Sequence, residues 1–449
     1  KSLKPLEDPL EDPLDICPIT LKLFNQDIFN FKQGELNIIH STTRSMKCIP
    51  GVLVLEGNRM YGKVKRNRYY YRVVPDDRRL PEFIMAYTPK IGFEKKQKNK
   101  YVVFQFKDWT GKHPICSNVQ TIGDIGVLGN FYEYQLYCKS LYASIQDFTK
   151  KTMRALKIKS EEVFIDEIKE RYEAEDRLDV EVITIDPTLS KDFDDGLSMV
   201  DKGDKMLLSV YISNVSFWMD ALDLWDSFTN RIATIYLPDR KRPMLPTVLS
   251  DALCSLQENR IRFAFTMDLL IDKKTYEIVE TRFVNTCIKV TKNLRYDTEE
   301  QENYPLYKKI FKFIKGMSKK YRYVDKLDTS HDIVAYTMIL MNYMVAKEFM
   351  KHKSGIFRTA KLGDFKEPEN VPDNVKKFLK MWNSFGGKYV KYEQVSGHEM
   401  LSLDAYVHIT SPIRRLVDLL NIIELQDILG LCSLGGGASQ FYKRWTNPE

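Results

Sequence analysis

The chain has 449 residues, of which 43% are hydrophobic and 29% are charged, a composition typical of a soluble globular protein. Its length is near three times that of a usual domain and predicts two to four domains. The 68 Lys+Arg exceed the 61 Asp+Glu and give a net charge of +7, which indicates an anionic partner only weakly.

Neither a membrane span nor a secretory signal is predicted. The longest apolar run, residues 206–219, is interrupted by polar residues and is too short to cross a bilayer. The seven cysteines are dispersed and form no CxxC pair, which argues against a disulfide framework or a structural zinc site. We therefore expect an intracellular protein in a reducing compartment, with the cytoplasm favoured over the nucleus or an organelle.

The N-terminal part of the chain has an uneven charge. Residues 1–15 repeat a proline at every fourth position and carry two Lys and five acidic residues, which predicts a flexible acidic arm rather than a helix. Residues 57–100 hold 13 Lys/Arg and 4 Asp/Glu, so 13 − 4 gives a local charge of +9. The rest of the chain is therefore slightly acidic.

The basic block reads as short strands. A turn at 56–58 and alternating basic and aromatic residues predict a hairpin, and residues 101–106 predict a further strand. A cationic and aromatic strand face, which includes Lys65 and Arg68, favours a small oligonucleotide-binding barrel. The alternative is a solvated, lysine-rich sheet face.

A different pattern begins after the basic block. Ser160 predicts the N-cap of a helix with apolar residues at every fourth position. A β-branched strand over 180–185 follows, and the nearly continuous apolar run 206–218 predicts a second, buried strand. Two later helices are predicted, one over 331–349 and one that begins at Pro412.

Four carboxylates follow the first of these strands within ten residues: Asp186, Asp192, Asp194 and Asp195. Like charges a few ångströms apart repel by roughly 1 to 4 kcal/mol per pair, so the cluster needs full solvation or a cation. Mg²⁺ prefers such hard oxygen ligands and keeps waters for substrate phosphates. The spacing fails the EF-hand pattern, and a plain acidic surface turn remains the alternative.

A second polar segment lies at residues 406–415. Ser411 followed by Pro412 predicts a helix start, with a side-chain cap and proline at the first helical position. Arg414 and Arg415 would then lie in the first turn, against the helix dipole and beside unpaired backbone N–H groups, which favours a phosphate site. The alternative for Arg414 is an intrahelical pair with Asp418.

Together these segments resemble the RNase II/RNase R/Dis3 (RNB) family of exoribonucleases. The similarity lies in four ordered motifs, at residues 184–196, 210–216, 236–256 and 410–415. Shorter stretches at 71–81 and 122–126 are similar to the cold-shock barrel that precedes the catalytic domain in eukaryotic-type members.

The resemblance implies an α+β chain in which small OB-fold/cold-shock barrels precede a large mixed α/β RNB catalytic domain. We expect an arm or barrel remnant at 1–48, an RNA-binding barrel at 49–145 and the catalytic domain at 146–449. The last is expected to be incomplete, without a visible S1 domain. No PIN-type nuclease domain is visible either, which argues against membership of an exosome core.

The resemblance also implies an activity: Mg²⁺-dependent, processive 3′→5′ hydrolysis of single-stranded RNA to nucleoside 5′-monophosphates, with Mn²⁺ as an alternative metal. All four aspartates would be catalytic metal ligands, with chemistry depending most on Asp194. Arg414 would hold the scissile phosphate. The expected RNA contacts are Tyr236, Arg240, Thr410, Ser411, Arg415, Lys65 and Arg68.

Three departures from the family pattern keep other functions open. Ala335 and Tyr336 stand where the family has paired glutamates, and residues 325–331 leave no room for the strand that carries the base-clamp aromatic. Asn421 and Ile422 replace a His-Arg pair. The alternatives are a catalytically weakened RNA-binding regulator on the same fold, or a nuclease directed at DNA.

Overall fold

The computed structural model describes residues 17–32, 35–64, 68–89, 97–362, 371–382 and 384–447. The chain divides into two compact units, Lys1–Ala143 and Ser144–Glu449. The acidic arm predicted at 1–15 and Lys65 lie outside the described residues.

The first unit is built around a β-barrel. Its elements are β1 Ile28–Lys32, β2 Glu35–His40, α1 Thr42–Ser45, β3 Ile49–Val54, β4 Lys63–Val64, β5 Arg68–Pro75, β6 Phe83–Tyr87, β7 Lys100–Asp108, β8 Ile115–Asp124 and α2 Leu128–Cys138.

The barrel closes through a continuous circuit of strand pairs. β3 pairs antiparallel with both β5 and β7, β5 pairs with β6, and β7 pairs with β8. A parallel pair between β6 and β8 completes the circuit. Alternate side chains such as Leu53, Val73, Phe83 and Phe104 fill the interior and are fully buried. This is an OB-like barrel, as the sequence predicted.

The second unit is a mixed sheet with helices. Its elements are α3 Gln146–Ala155, α4 Glu161–Arg171, β9 Glu175–Arg177, β10 Ile183–Asp186, β11 Asp195–Lys202, β12 Lys205–Ser213, α5 Val215–Ala221, β13 Ile235–Tyr236, β14 Lys241–Arg242, β15 Ile261–Asp272, β16 Ile278–Lys289, β17 Lys292–Arg295, α6 Glu299–Asn303, α7 Pro305–Met317, α8 Ser330–His352, β18 Ile356–Leu362, α9 Asp373–Trp382, β19 Ser384–Lys391, α10 Leu416–Ile428 and α11 Gly436–Thr446. A π-helix at Leu249–Leu253 precedes β15.

Seven strands form the central sheet in the order β17-β10-β11-β12-β15-β16-β9. The two outermost pairs, β17 with β10 and β16 with β9, are parallel, and the inner pairs are antiparallel. One core packs the inner strands against α7 and α8. A second core gathers α4, α5, α10 and α11. The α+β class and the order of a small barrel followed by a larger mixed α/β unit, both predicted from the sequence, are confirmed.

The helix predicted after Ser160 is α4, and the Ser160 side chain accepts a hydrogen bond from the Val163 N–H at 3.5 Å. The prediction of one buried strand over 206–218 is wrong, because β12 ends at Ser213 and α5 begins at Val215. Both halves of the run are buried. Apolar continuity therefore reported burial and not secondary structure.

The residues that the structure describes include neither a membrane-spanning helix nor a disulfide. No helix there is both long and apolar enough to cross a membrane. All seven cysteines are described, and no disulfide joins them.

A buried carboxylate ties several helices of the second core together. Asp220, at the end of α5, accepts hydrogen bonds from the Tyr172 hydroxyl at 2.6 Å and the Trp225 indole N–H at 2.8 Å. It also accepts from the Gly435 N–H at 3.1 Å and pairs with Arg171 at 2.9 Å. Its side chain is 4% exposed, so these donors take the place of water around the carboxylate.

Asp220→Ala leaves these buried donors without an acceptor. We expect it to destabilise the second unit by about 3 kcal/mol and to lower the melting temperature by at least about 5 °C, measured by calorimetry. Asp226→Ala, at an exposed position six residues later, is the control and should change stability by less than about 0.5 kcal/mol. Equal melting temperatures for wild type and Asp220→Ala would contradict this role.

Candidate active site

The four predicted aspartates lie at one edge of the central sheet. Asp186 is the last residue of β10 and Asp195 is the first residue of β11, its antiparallel neighbour. Asp192 and Asp194 lie on the segment that connects the two strands. Because β10 ends where β11 begins, the four carboxyl groups converge at this edge.

Hydrogen bonds from the segment after the π-helix hold this connection in place. The Phe193 N–H donates to Ser255 Oγ at 3.0 Å, and that hydroxyl donates to the Lys191 carbonyl at 2.7 Å. The Leu256 N–H donates to the Phe193 carbonyl at 3.0 Å. The loop is therefore fixed by its backbone and by the buried Phe193 ring, which leaves the aspartate side chains to define the site.

Asp194 is bound by the arginine motif. Its Oδ1 accepts the Ile413 N–H at 3.0 Å, and its Oδ2 accepts from Arg414 Nε at 3.2 Å. The Asp194 side chain is 4% exposed, whereas that of Arg414 is 45% exposed. Burial raises the pKa of Asp194 to about 7, against the opposing effect of the Arg414 charge. The motif thus supplies Asp194 with one cation whose outer edge remains open to solvent.

Asp192 is bound by a different cation. Its Oδ1 accepts from Lys241 Nζ at 3.0 Å, and the same ammonium group reaches Asp251 Oδ1 at 3.0 Å. Sequence reasoning did not identify Lys241 as a site residue. A signal was available in the sequence, because Lys241 lies in the same 236–256 motif as Tyr236. In the structure the two residues are paired in the β13–β14 hairpin.

Asp186 and Asp195 form the remaining pair. Burial raises the pKa of each carboxyl group, and the negative charge of Asp186 raises that of Asp195 further. The Oδ2 atom of Asp186 is buried, and none of the residues that the structure describes forms a hydrogen bond with it. A buried carboxylate oxygen without a donor is costly, so this pair is the part of the site that calls for a cation.

The donor chemistry fits Mg²⁺ or Mn²⁺ held by few protein ligands. In the part of the chain that the structure describes, no three or more His, Cys, Asp or Glu side chains are grouped closely enough to hold a metal. Asp192 and Asp194 instead bind Lys241 and Arg414. Mg²⁺ is commonly bound through one or two carboxylates plus waters and substrate phosphates, and Asp186 with Asp195 match that requirement.

The arginine motif differs from its prediction. Helix α10 begins at Leu416, with Arg415 as its N-cap residue, so neither arginine lies in a first helical turn. The N–H groups of Arg414 and Arg415 both donate to the Ser411 carbonyl and are therefore not available to a phosphate. Residues 411–415 form a tight turn before the helix, so the two arginines do not lie in the first turn, where the helix dipole would favour a phosphate.

The alternative given for Arg414, a pair with Asp418, is wrong. Arg415, not Arg414, pairs with Asp418, at 2.7 Å, and the Asp418 carboxylate is fully buried. The same Asp418 Oδ1 accepts the Ser411 N–H at 2.7 Å. Arg415 and Asp418 thus fix the turn, while the Ser411 hydroxyl accepts from Arg414 Nη2 at 3.1 Å. Helical spacing could not reveal this, because the turn is not helical.

The remaining predicted RNA contacts fall into exposed and buried groups. Tyr236 is 59% exposed, and burial of part of its ring and the Asp192 charge raise its pKa. Arg240 is exposed on the same hairpin, and Arg68 is exposed at the start of β5. Thr410 is buried and lies 3.5 Å from Asn342 Nδ2, which suits a structural contact better than an RNA contact.

Tyr336, at one of the two positions where the resemblance predicts a glutamate, is a core residue. Its ring is fully buried among the residues that pack α8 against the sheet, and its hydroxyl donates to the Tyr321 carbonyl at 3.0 Å. A further aromatic, Tyr296, was missed by sequence reasoning. Its backbone N–H donates to the Asp186 carbonyl at 3.0 Å, and burial together with the charges of Asp195 and Asp186 raises the pKa of its hydroxyl.

Comparison with known proteins identifies the second unit. A model of the RNB domain family matches residues 175–303 and 307–430. The chain is 28% identical over 277 residues to ribonuclease R of Aquifex aeolicus, which covers 58% of this chain and 36% of that protein. The match therefore spans about a third of the relative's length.

Two solved structures share the fold. Mycoplasma genitalium RNase R in complex with ribose-methylated single-stranded RNA has a TM-score of 0.67 at 17% identity, with 93% of this chain and 77% of that chain covered. Yeast Ssd1, a pseudonuclease, has a TM-score of 0.61 at 14% identity, covering 92% and 59%. At these identities the likeness shows the fold alone, which both a nuclease and a pseudonuclease adopt.

Asp194 predicts a pH dependence of stability. Its folded pKa of about 7 lies above the ordinary value near 4, so folding takes up a proton between these values. The associated stability is fully present below about pH 4 and is lost as the pH rises through about 7. Between pH 5 and 7 we expect metal-free protein in EDTA to lose roughly 2 kcal/mol through this group.

The measurement is the melting temperature in EDTA at pH 5, 6 and 7 for wild type and Asp194→Asn. The variant lacks the titrating group, so its melting temperature should fall less over this range. Parallel curves for the two proteins would contradict the raised pKa of Asp194.

Proposed function

Because the chain belongs to the RNB domain family, we propose that it is a hydrolytic exoribonuclease. It shortens single-stranded RNA processively from the 3′ end and releases nucleoside 5′-monophosphates. The observation that supports this most is that protein cations neutralise only part of the carboxylate cluster. Two of its members bind protein cations, and the other two include a buried oxygen to which no described residue donates a hydrogen bond.

Asp186 and Asp195 would hold the divalent ion, Mg²⁺ or Mn²⁺, while Asp192 binds Lys241 beside them. When bound, such an ion lowers the pKa of a coordinated water and offsets charge on a phosphate. Protein side chains do the rest of the positioning. The unpaired Asp186 Oδ2 and the raised pKa values of the pair are the features that an added cation would relieve.

Arg414 would offset charge on the scissile phosphate. Its Nε is held by Asp194 and its Nη2 by Ser411, so the guanidinium plane is fixed while the side chain stays 45% exposed. A preorganised cation stabilises developing negative charge without reorganisation during the reaction. Asp194 thus acts by orienting Arg414 and the 411–415 turn, as well as through its own charge.

Tyr236 and the barrel would guide the RNA. Tyr236 is exposed beside Asp192 and Arg414, where its ring can stack on a terminal base. We propose residues 49–145 as the RNA-guiding barrel, with Arg68 exposed at the start of β5, and residues 146–449 as the catalytic domain; Lys65, the other predicted contact, lies outside the described residues. Single-stranded RNA is the partner that this arrangement favours.

A second candidate function is a catalytically weakened RNA-binding protein. The observation that favours it is Tyr336, which fills the core with an aromatic ring where the family has a glutamate. A carboxylate is therefore lost from the region of α8. The intact aspartate cluster supports the nuclease in preference.

Activity is tested with 5′-labelled single-stranded RNA in Mg²⁺. We expect a ladder that shortens from the 3′ end, release of 5′-monophosphates and loss of both in EDTA. Asp194→Asn keeps the shape and one acceptor but removes the charge that holds Arg414, so the rate should fall by about 10²-fold or more. Asp204→Asn, at an exposed position after β11, is the matched control and should leave the rate unchanged.

Three outcomes decide between the candidates. Equal rates for wild type and Asp194→Asn would overturn the assignment of the site. Tight RNA binding with no monophosphate in either Mg²⁺ or Mn²⁺ would favour the RNA-binding protein. Faster degradation of a deoxyribo-oligomer than of the matched ribo-oligomer would identify a nuclease directed at DNA.

Arg414→Lys tests the orientation of the guanidinium group. Lysine keeps the charge but cannot donate to Asp194 and Ser411 in the same plane. We expect the single-turnover rate to fall by about 10²-fold, with RNA affinity in EDTA, measured by fluorescence anisotropy, changed by less than about fivefold. Arg415→Lys is the matched control with a smaller loss of rate, because lysine can still pair with the buried Asp418; equal losses for the two variants would contradict the distinct role of Arg414.

A further inference from the structure

Lys241 lies at the edge of the carboxylate cluster and belongs to the hairpin that carries Tyr236. The two residues are directly paired across β13 and β14. Lys241 Nζ lies 3.0 Å from Asp192 Oδ1 and 3.0 Å from Asp251 Oδ1. The three side chains are 28%, 12% and 19% exposed, so this bridge is partly shielded from solvent.

The second anchor of the bridge is fixed by its surroundings. Asp251 lies in the π-helix Leu249–Leu253, and its Oδ1 also accepts from the buried Ser250 hydroxyl at 2.6 Å. Lysine is a flexible side chain that loses rotamer freedom when it is held. Two carboxylates, one of them fixed by Ser250, offset that loss and keep the ammonium group next to Asp192.

Asp192 is electrostatically part of the cluster. Its charge raises the pKa of both Asp186 and Asp194. Asp192 lies on the segment that joins Asp186 to Asp195, so a positive charge bound to it opposes a divalent ion at that pair, because like charges repel in a partly buried site. Arg414 occupies Asp194 in the same way, but that pair is buried at Asp194, whereas Lys241 holds the more accessible carboxylate.

We infer that Lys241 is a built-in competitor of the divalent ion. Lys241 binds Asp192 when no metal is present. A divalent ion must either displace Lys241 from Asp192 or bind beside its positive charge, so Lys241 sets the metal concentration that the site needs. The inference rests on the proposed function in one respect, that the cluster binds a divalent ion. Lys241 is a positioning residue here, because it acts through Asp192.

The test measures metal binding directly and needs no RNA. Mn²⁺ is titrated into the full chain, and free Mn²⁺ is followed by electron paramagnetic resonance. Lys241→Met removes the competing charge and should tighten Mn²⁺ binding by about tenfold. Lys241→Arg keeps the charge and should stay within about threefold of wild type.

Two further variants separate competition from a structural role. Asp251→Asn leaves the ammonium group to Asp192 alone and removes a negative charge, so it should weaken Mn²⁺ binding. Lys191→Met removes an exposed lysine of the same loop and should change the affinity much less than Lys241→Met. A merely structural role would lower the melting temperature of both bridge variants without moving the affinity in opposite directions.

The outcomes distinguish this inference from the proposed function. Mn²⁺ binding by wild type that Lys241→Met leaves unchanged or weakens would overturn the inference alone. A wild-type chain that binds no Mn²⁺ would overturn the metal-dependent function and the inference together. Tighter binding in Lys241→Met with weaker binding in Asp251→Asn would support both.

Discussion

Four carboxylates brought together at one sheet edge impose the main constraint on the second unit. Partly buried like charges cost several kcal/mol unless cations or hydrogen bonds offset them. The chain meets this requirement unevenly, with Arg414 on Asp194 and Lys241 on Asp192. Among the described residues no ion pair holds Asp186 or Asp195, and burial raises their pKa values against the opposing charges of Arg295 and Arg414. This imbalance supports the proposal that the cluster binds a cation.

The same constraint joins segments that are far apart in the sequence. Asp194 and Arg414 are separated by 220 residues, and Asp192 and Lys241 by 49. The turn that presents Arg414 is itself fixed by the buried Asp418, which binds Arg415 and the Ser411 N–H. Electrostatic pairing at the sheet edge thus depends on local hydrogen bonding before α10. A substitution at Asp418 would therefore alter the turn that holds Arg414 and so its contact with Asp194.

Local patterns predicted the parts of the fold that depend on local physics. The cap at Ser160, the strand that ends at Asp186 and the basic barrel strands all follow from short-range spacing. The residues 206–218 and the start of α10 were mispredicted, because burial and proline position do not define where backbone hydrogen bonding changes. The cations that bind Asp192 and Asp194 were not predicted. The Lys241–Asp192 and Arg414–Asp194 pairs are long-range contacts that no local spacing encodes.

The energetics of the site also bear on its function. Among the described residues the buried Asp186 oxygen has no hydrogen-bond partner, and burial raises the pKa of Asp186, Asp194 and Asp195, so the cluster lowers stability at neutral pH. A ligand that binds only the folded state recovers stability by mass action. A turn with a purely structural role gains nothing from buried carboxylates whose charge is not offset. A site that binds a cation together with its substrate requires them.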